Sequence, residues 1–311
     1  MILVTGALGF IGSHLLDRLL SDGKAGPQDI IALDNLSYAA NLQYLNAGLK
    51  AVFAPIDLAN LEQVELLFAR YRIRTIYHLA AETHVDNSIK TVDPFVQSNI
   101  MGTLNLLKMA EKYPVEQFVH VSTDEVYGHV AEGSTNESTP YHARNPYSAT
   151  KAASDHLVTA WHHTYGIPAM ITHCSNNYGP RQHGEKMIPT IIHSLMNNRP
   201  VPVYGDGLQI RDWLYVQDHC DALVTVAERG TPGEIYNIGA SHEHEITNID
   251  LVKMICDIMD KPYTLIEHVE DRKGHDRRYS IDSTKIRTLL GWHDCHTLEQ
   301  GLMTTVRAAG A

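Results

Sequence analysis

Tyr147 and Lys151, in Tyr147-Ser-Ala-Thr-Lys151, set a phenol and an ammonium one helical turn apart on the same face. A phenol is a poor base at neutral pH, but a neighbouring cation stabilises phenolate and brings its pKa toward the working range. Upstream, Asp124 and Glu125 put two carboxyls side by side just past an apolar run. Adjacent carboxyls in unlike environments can divide acid and base work between them. Each pattern alone is common: Tyr and Lys meet by chance on many helices, and neighbouring acids are mostly solvated loop residues. A third pattern gives them context. In Gly6-Ala-Leu-Gly9-Phe-Ile-Gly12 the glycines permit a tight turn and let backbone N–H groups approach a pyrophosphate at a helix N-terminus. Asp34 stands 22 residues beyond Gly12, where a carboxylate accepts hydrogen bonds from ribose hydroxyls and repels a 2′-phosphate, so NAD is favoured over NADP. The plainer reading of Asp34-Asn35 is a turn pair. Asp57, after the third apolar run, is expected to reach the adenine.

These residues need a frame. Continuous apolar runs at Ile2–Val4, Ile30–Leu33, Ala51–Ala54, Thr75–Ala80, Phe118–Ser122 and Ala169–Thr172 read as strands covered on both faces. Helical patterns at Ile11–Leu20, Leu61–Tyr71, Asp93–Lys112 and Tyr147–Tyr165 alternate with them. The repeated β-α-β order predicts an α/β fold with a doubly wound, parallel, Rossmann-type sheet and a smaller mixed α/β C-terminal substrate domain. At 311 residues the chain is long enough for two domains of about 150 residues. The expected division is 1–176 for cofactor and catalysis and 177–311 mainly for substrate, where Pro180, Pro189, Pro200 and Pro202 shorten the elements. Residues 210–239 are expected to return to the first domain, as a helix near Asp212–Glu228 and a strand at Ile235–Ile238.

Composition narrows the function classes. The balance of 25 basic and 36 acidic residues, net −11, argues against a nucleic-acid or anionic-membrane binder, whose affinity comes from Lys and Arg. No apolar stretch approaches the roughly 18 residues that would span a membrane. A strand beginning at Ile2 leaves no room for a targeting segment. Cys174, Cys220, Cys256 and Cys295 are widely spaced, which is poor zinc spacing and fits a reducing cytoplasm. The densest histidine cluster, His242-Glu243-His244-Glu245, reads as a solvated loop, so no metal is expected.

With Gly6–Gly12, His78-Leu79-Ala80-Ala81, Asn99, Tyr147 and Lys151 in place, the sequence resembles the extended short-chain dehydrogenase/reductases that act on nucleotide sugars. Ser122-Thr123-Asp124-Glu125-Val126-Tyr127-Gly128 is similar to the signature of the NDP-hexose 4,6-dehydratase branch. The resemblance covers essentially the whole chain. It implies a lyase of deoxysugar biosynthesis with NAD as a recycled cofactor and dTDP-glucose as substrate, UDP-glucose or UDP-N-acetylhexosamine being the alternatives. Tyr147 then takes the proton of the sugar 4-hydroxyl while hydride leaves C4. Thr123 bonds the same oxygen, and Lys151 supports the tyrosinate and the nicotinamide ribose. Glu125 removes the C5 proton, Asp124 protonates the departing 6-hydroxyl, and hydride returns to C6. Related epimerases and decarboxylases lack an acid at the position of Asp124, which argues against those reactions. Retention of all five groups argues against a silent NAD-binding regulator.

The cofactor set the resemblance implies is Gly6, Gly9, Phe10, Ile11, Gly12, Asp34, Asn35, Asp57, Leu58, Leu79, Ala80, Ala81, Asn99, Tyr147 and Lys151. For the substrate it implies Thr123, Asn176, Glu185, Lys186, Arg211, Asn248, Arg272, His275 and Tyr279, with Arg211 gripping a phosphate through its planar fork. The chain departs from the pattern at Arg181-Gln182-His183-Gly184, at Lys273, and at Thr83 and Asn87. Arg181 and His183 are expected nearest the nucleotide or hexose pocket. The helices at Asp93–Lys112 and Tyr147–Tyr165 resemble those of four-helix homodimer interfaces in the family.

Overall fold

The computed structural model describes residues 1–23, 25–46, 51–240, 245–271 and 275–310. Seven strands, β1 (Ile2–Thr5), β2 (Ile30–Asp34), β3 (Val52–Pro55), β4 (Thr75–His78), β5 (Gln117–Thr123), β6 (Ala169–Cys174) and β10 (Ile235–Ile238), form one sheet in the order β10-β6-β5-β4-β1-β2-β3. Every pairing is parallel, as the alternating pattern predicts for a doubly wound sheet. The order reverses after β3, where the chain returns to pair β4 with β1. Strands β7 (Asn176–Tyr178), β9 (Ile210–Tyr215) and β11 (Glu245–Thr247) form a second, small sheet, and β8 (Val201–Tyr204) pairs with β12 (Ile266–Val269).

Eight helices of ten or more residues occur among the described residues: α1 (Phe10–Ser21), α2 (Leu61–Arg70), α3 (Thr103–Lys112), α4 (Pro146–Tyr165), α5 (Met187–Met196), α6 (Val216–Arg229), α7 (Asn248–Ile258) and α8 (Leu298–Ala308). None is long and apolar enough to cross a membrane. One face of the large sheet packs Val4, Val119 and Met170 against Leu15 and Leu16 of α1 and Leu223 of α6. The other packs Leu3, Ile31, Ile76 and Phe118 against Leu67 of α2, Leu106 of α3 and Val158 of α4. Alternate residues of one strand thus enter opposite cores, which is why these strands read as unbroken apolar runs. A third core gathers Tyr178, Ile191, Trp213, Val252, Ile255 and Leu302 from the second half.

Three elements differ from the sequence reading. The strand expected to run to Ala80 stops at His78, because the amides of Leu79 and Ala80 donate to Thr5 Oγ1 at 3.2 and 3.1 Å. Within Asp93–Lys112, residues Val96–Gly102 are π-helical. The stretch from Asp212 is first a strand: β9 pairs with β7 and β11, and the helix begins only at Val216. Apolar periodicity over so short a run does not separate strand from helix.

Candidate active site

The strand and loop candidates of the first half sit at or just beyond the carboxyl ends of the parallel strands, along the edge that includes the reversal of strand order between β4 and β1; Tyr147 and Lys151 come to the same edge on α4. Gly6 follows β1, Asp34 ends β2, Thr123 ends β5 and Cys174 ends β6. One cavity runs along this edge.

At one end the glycine turn is as tight as the spacing requires. Gly6 adopts φ +64° with the Ala80 backbone 2.9 Å from where a Cβ would stand, and a Cβ on Gly12 would lie 2.1 Å from the Gly6 carbonyl oxygen. The first intrahelical bond of α1 runs from Ser13 N–H to Gly9 O. The amides of Phe10, Ile11 and Gly12 therefore have no helical acceptor and are free for an anion. The Asp34 carboxylate accepts from the Leu8 and Leu36 amides at 3.0 and 2.9 Å. Burial raises its pKa, and those two bonds oppose the rise. All the residues expected to hold the cofactor line this cavity except Asn99. Asn99 is buried beside it: its Oδ1 accepts from Glu82 N–H at 2.8 Å, and its Nδ2 donates to Glu82 O and to Thr150 Oγ1 at 3.1 and 3.0 Å. It ties the β4 exit to α4, and Ser98 takes the place on the wall.

At the other end β5 delivers Thr123, Asp124 and Glu125 through a 3-10 turn. Helix α4 brings Tyr147 and Lys151. Its start is set by Asn145, whose side chain accepts from Ser148 N–H at 2.8 Å, with Pro146 in the first helical position; such a cap is worth about 1 kcal/mol. The same Asn145 donates through Nδ2 to Glu125 Oε2 at 3.1 Å, so the helix cap also aims one of the two carboxyls. Thr123 Oγ1 accepts from Glu125 N–H and donates to Asp124 Oδ1, both at 3.3 Å.

The two carboxyls are in unlike surroundings. Asp124 is buried and Glu125 half-buried. Burial, with the charges of Glu125 and Asp212 adding to it, pushes the Asp124 carboxyl well above the usual range against the pull of Arg211. Asp212 itself is pushed up to about 7, chiefly by burial. Burial and the Glu125 charge also raise the Tyr147 phenol, and a hydrogen bond from Thr123 works the other way. Burial lowers Lys151, with Asp155 foremost among the groups that oppose it. The Lys151 ammonium donates to Val121 O at 2.8 Å. Tyr147 and Lys151 thus share a face and a cavity wall, while the lysine is anchored on the strand beneath.

Of the substrate residues, Thr123, Asn176, Glu185 and Lys186 line the cavity. Glu185 accepts from Tyr38 Oη at 3.0 Å, and Lys186 Nζ donates to Thr83 O at 3.0 Å. Arg211, Asn248, His275 and Tyr279 do not reach its wall. Arg211 donates to the carbonyls of Ile210 and Asp276 at 2.7 and 2.9 Å and stacks on Tyr279 with Cζ 4.4 Å from the ring centre. Tyr279 donates to Asp276 Oδ2 at 2.7 Å, and His275 meets Asp271 at 2.6 Å. Asn248 keeps a buried Oδ1 without a hydrogen-bond partner among the described residues. Arg272, Lys273 and the residues His242 to His244 lie outside the described residues. Among those described, no three His, Cys, Asp or Glu side chains group as metal ligands.

Arg181 is not where the sequence reading puts it. Its guanidinium pairs with Asp17 of α1 at 2.7 Å and covers the Tyr44 ring, away from the cavity. Gln182 and His183 do line it. Sequence reasoning missed Cys174, Ser175 and Ser98 on the wall and the buried Asp212 behind Asp124. Cys174 and Ser175 carry a usable signal, since Cys174 ends β6 and Ser175 follows it as Thr123 ends β5 and Asp124 follows it.

Comparison with known proteins agrees in kind. A family model described as GDP-mannose 4,6 dehydratase matches residues 3–305. The dTDP-glucose 4,6-dehydratase of Haemophilus influenzae is 46% identical over 332 aligned residues, covering 98% of this chain and 96% of that protein. The enzyme of the same name from Escherichia coli is 44% identical, over 98% and 92%. The crystal structure of dTDP-glucose 4,6-dehydratase from Bacillus anthracis in complex with NAD is similar at a TM-score of 0.90 and 39% identity, over 99% and 96% of the two chains. UDP-glucose 4-epimerase from Thermotoga maritima, solved with UDP-glucose, gives a TM-score of 0.92 at 31% identity, over 99% and 98%.

Proposed function

The chain belongs to the GDP-mannose 4,6-dehydratase family within the extended short-chain dehydrogenase/reductases, and from that premise we propose that it is an NAD-dependent lyase converting dTDP-glucose to dTDP-4-keto-6-deoxyglucose and water. The observation that carries this reading is the buried Asp124 carboxyl, raised well above the usual range, beside the half-buried Glu125. A 4-epimerase only oxidises and re-reduces C4, so it has no step that uses such a pair. Elimination across C5–C6 uses both.

The cavity fits NAD: the Gly12 site has no room for a Cβ, three amides of α1 have no helical acceptor, and Asp34 closes the adenosine end. When bound, NAD supplies a reversible hydride acceptor and a positive ring charge beside Tyr147. Tyr147 takes the proton from the sugar 4-hydroxyl, with Thr123 bonded to the same oxygen. The 4-ketone acidifies the C5 proton, which passes to the Glu125 carboxylate held by Asn145. Asp124 arrives protonated and gives its proton to O6, so that water rather than hydroxide departs. Asn176, Glu185 and Lys186 hold the nucleotide sugar along the far wall, and Arg211, Asn248, Arg272, His275 and Tyr279 are assigned to its nucleotide end.

Residues 1–176 with a returning stretch of 210–239 form the cofactor and catalytic domain, and the rest of 177–311 the substrate domain. The place of β10 in the large sheet and of Leu223 in the first core supports the return of 216–239, and the separate core around Tyr178, Ile191 and Ile255 supports the substrate domain. Strand β9 pairs in the small sheet and puts Trp213 into that separate core, so 210–215 stands with the substrate domain. The protein works as a homodimer in the cytoplasm, a reducing compartment in which its four free cysteines would stay reduced. Gln182 and His183 on the cavity wall favour one second reading, a UDP-linked glucose or N-acetylhexosamine as substrate. A panel of dTDP-, UDP-, GDP- and CDP-sugars, followed by mass spectrometry for loss of water, tests both. Dehydration of dTDP-glucose supports the first reading; selective dehydration of a UDP-sugar replaces it with the second.

A further inference from the structure

Behind the cavity wall lies a charged cluster that the reaction as described does not use. Asp155, one helical turn beyond Lys151 on α4, is 1% exposed. Its Oδ2 accepts from Ser122 Oγ at 2.9 Å and from His173 Nε2 at 3.1 Å, and its Oδ1 lies 3.2 Å from His120 Nε2. Both imidazoles are fully buried on neighbouring strands. Behind them Tyr127 Oη stands 2.7 Å from His173 Nδ1, and Tyr141 Oη 3.1 Å from Nε2. None of Asp155, His120 or His173 lines the cavity. A buried carboxylate is costly unless a cation and hydrogen bonds offset its desolvation. Here the donors come from β5 and β6, and the cation one turn away is Lys151.

We propose that Asp155 is a positioning residue for the dehydration: its fixed carboxylate is the counter-ion that keeps Lys151 an ammonium, anchored on Val121 O and directed at the reacting end of the cavity. The inference rests on the roles given above to Tyr147 and Lys151. Burial works to raise the Asp155 carboxyl, yet hydrogen bonds from His120 and His173 hold it below the usual carboxylate range. Burial lowers Lys151, and Asp155 is the largest opposing influence. The other titratable groups facing this pair are Cys174 on β6, His78 on β4, Tyr147 on α4 itself, and Tyr127 and Tyr141 in the segment after β5. Cys174, pushed up to about 12 by burial, and His78, held well below its ordinary value by burial, are both neutral in the working range. Asp155 is therefore the anion that matters to the lysine.

The test is the pH–rate profile of the NAD-loaded enzyme with dTDP-glucose. An opposite charge within about 4–6 Å shifts a pKa by about 1–3 units; Asp155 stands one helical turn from Lys151 without a direct ion pair, so the low end of that range, about one unit, applies. Asp155→Asn should therefore move the alkaline limb of kcat down by about that much. Its activity should approach the wild type as pH falls and Lys151 regains its proton. KM should change little, and Asp155→Glu should restore the limb. Should Asp155→Asn not fold, Asp155→Ser removes the same charge and leaves room for water at the imidazoles. A folded charge-removing variant whose alkaline limb stays in place, or whose kcat falls equally at every pH, overturns the inference. Wild-type enzyme that dehydrates no sugar nucleotide refutes instead the reading of the reaction.

Discussion

Replacing Asp124 by Asn should stabilise the fold near neutral pH and slow the elimination together. Asp124 is 5% exposed, and burial, the Glu125 charge and the Asp212 charge raise its pKa well above the ordinary 3.8. A carboxyl whose folded-state pKa is raised binds its proton more tightly in the folded than in the unfolded chain. The stability this brings is complete below the unfolded pKa and drains away as pH rises toward the folded one, at about 1.4 kcal/mol per pH unit. Asparagine has the same shape, can accept from Thr123 as the carboxyl does at 3.3 Å, and never ionises. Variant and wild type should therefore match near the unfolded carboxyl pKa of 3.8. They then diverge by about 1.4 kcal/mol per unit, in favour of the variant, until the carboxyl titrates. Losing a general acid should slow turnover about 10²–10⁴-fold, or about 3–5 kcal/mol on the barrier. C4 oxidation does not use Asp124, so reduced cofactor should accumulate after mixing with dTDP-glucose. Denaturant unfolding across the acid-to-neutral range and rapid-mixing absorbance measure the two effects. Equal stability at every pH would show that Asp124 is not a buried neutral acid, and normal turnover would remove it from the proton-donor role.

Three other outcomes are expected. Gly12→Ala places a Cβ 2.1 Å from the Gly6 carbonyl oxygen; it should cost about 1–3 kcal/mol of stability and strip NAD from the purified protein, and full NAD content by chromatography would contradict the turn's role. Asp34→Asn removes the charge that meets the adenosine ribose. It should weaken NAD by about tenfold, the worth of one charged hydrogen bond, and narrow the preference over NADP, so an unchanged ratio of the two Kd values would count against it. At micromolar concentration the protein should sediment as a dimer through the helices at 93–112 and 146–165; a monomer there would rule that assembly out.

The residues legible in the sequence were those whose partners lie close along the chain. Gly6, Gly9 and Gly12 form one turn, Tyr147 and Lys151 one helical repeat, and Thr123 to Glu125 one strand end, so spacing alone conveys their geometry. The Asp155 cluster was not legible, because Ser122, His120 and His173 reach it from β5 and β6 and meet it only through the sheet register that pairs Ser122 with His173. Asn99 was read as a cofactor contact from its place in a motif, whereas the π-helical turn directs its amide at Glu82 and Thr150. Arg181 is expected near the pocket because it belongs to a segment that departs from the family pattern; its φ is 66° and its side chain pairs with Asp17 instead. Short apolar runs fail for the same reason at β9, whose strand character comes from its two neighbours rather than from its own period.

The central claim is that one cavity removes hydride from C4, expels the 6-hydroxyl and returns the same hydride to C6. dTDP-glucose deuterated at C4 tests it most directly, with the position of the label in the product read by NMR and mass spectrometry. The expected product is one water lighter and carries the deuterium at C6, with no net NADH. Deuterium found at C4 of an epimer, or an unaltered sugar alongside reduced cofactor, would contradict it.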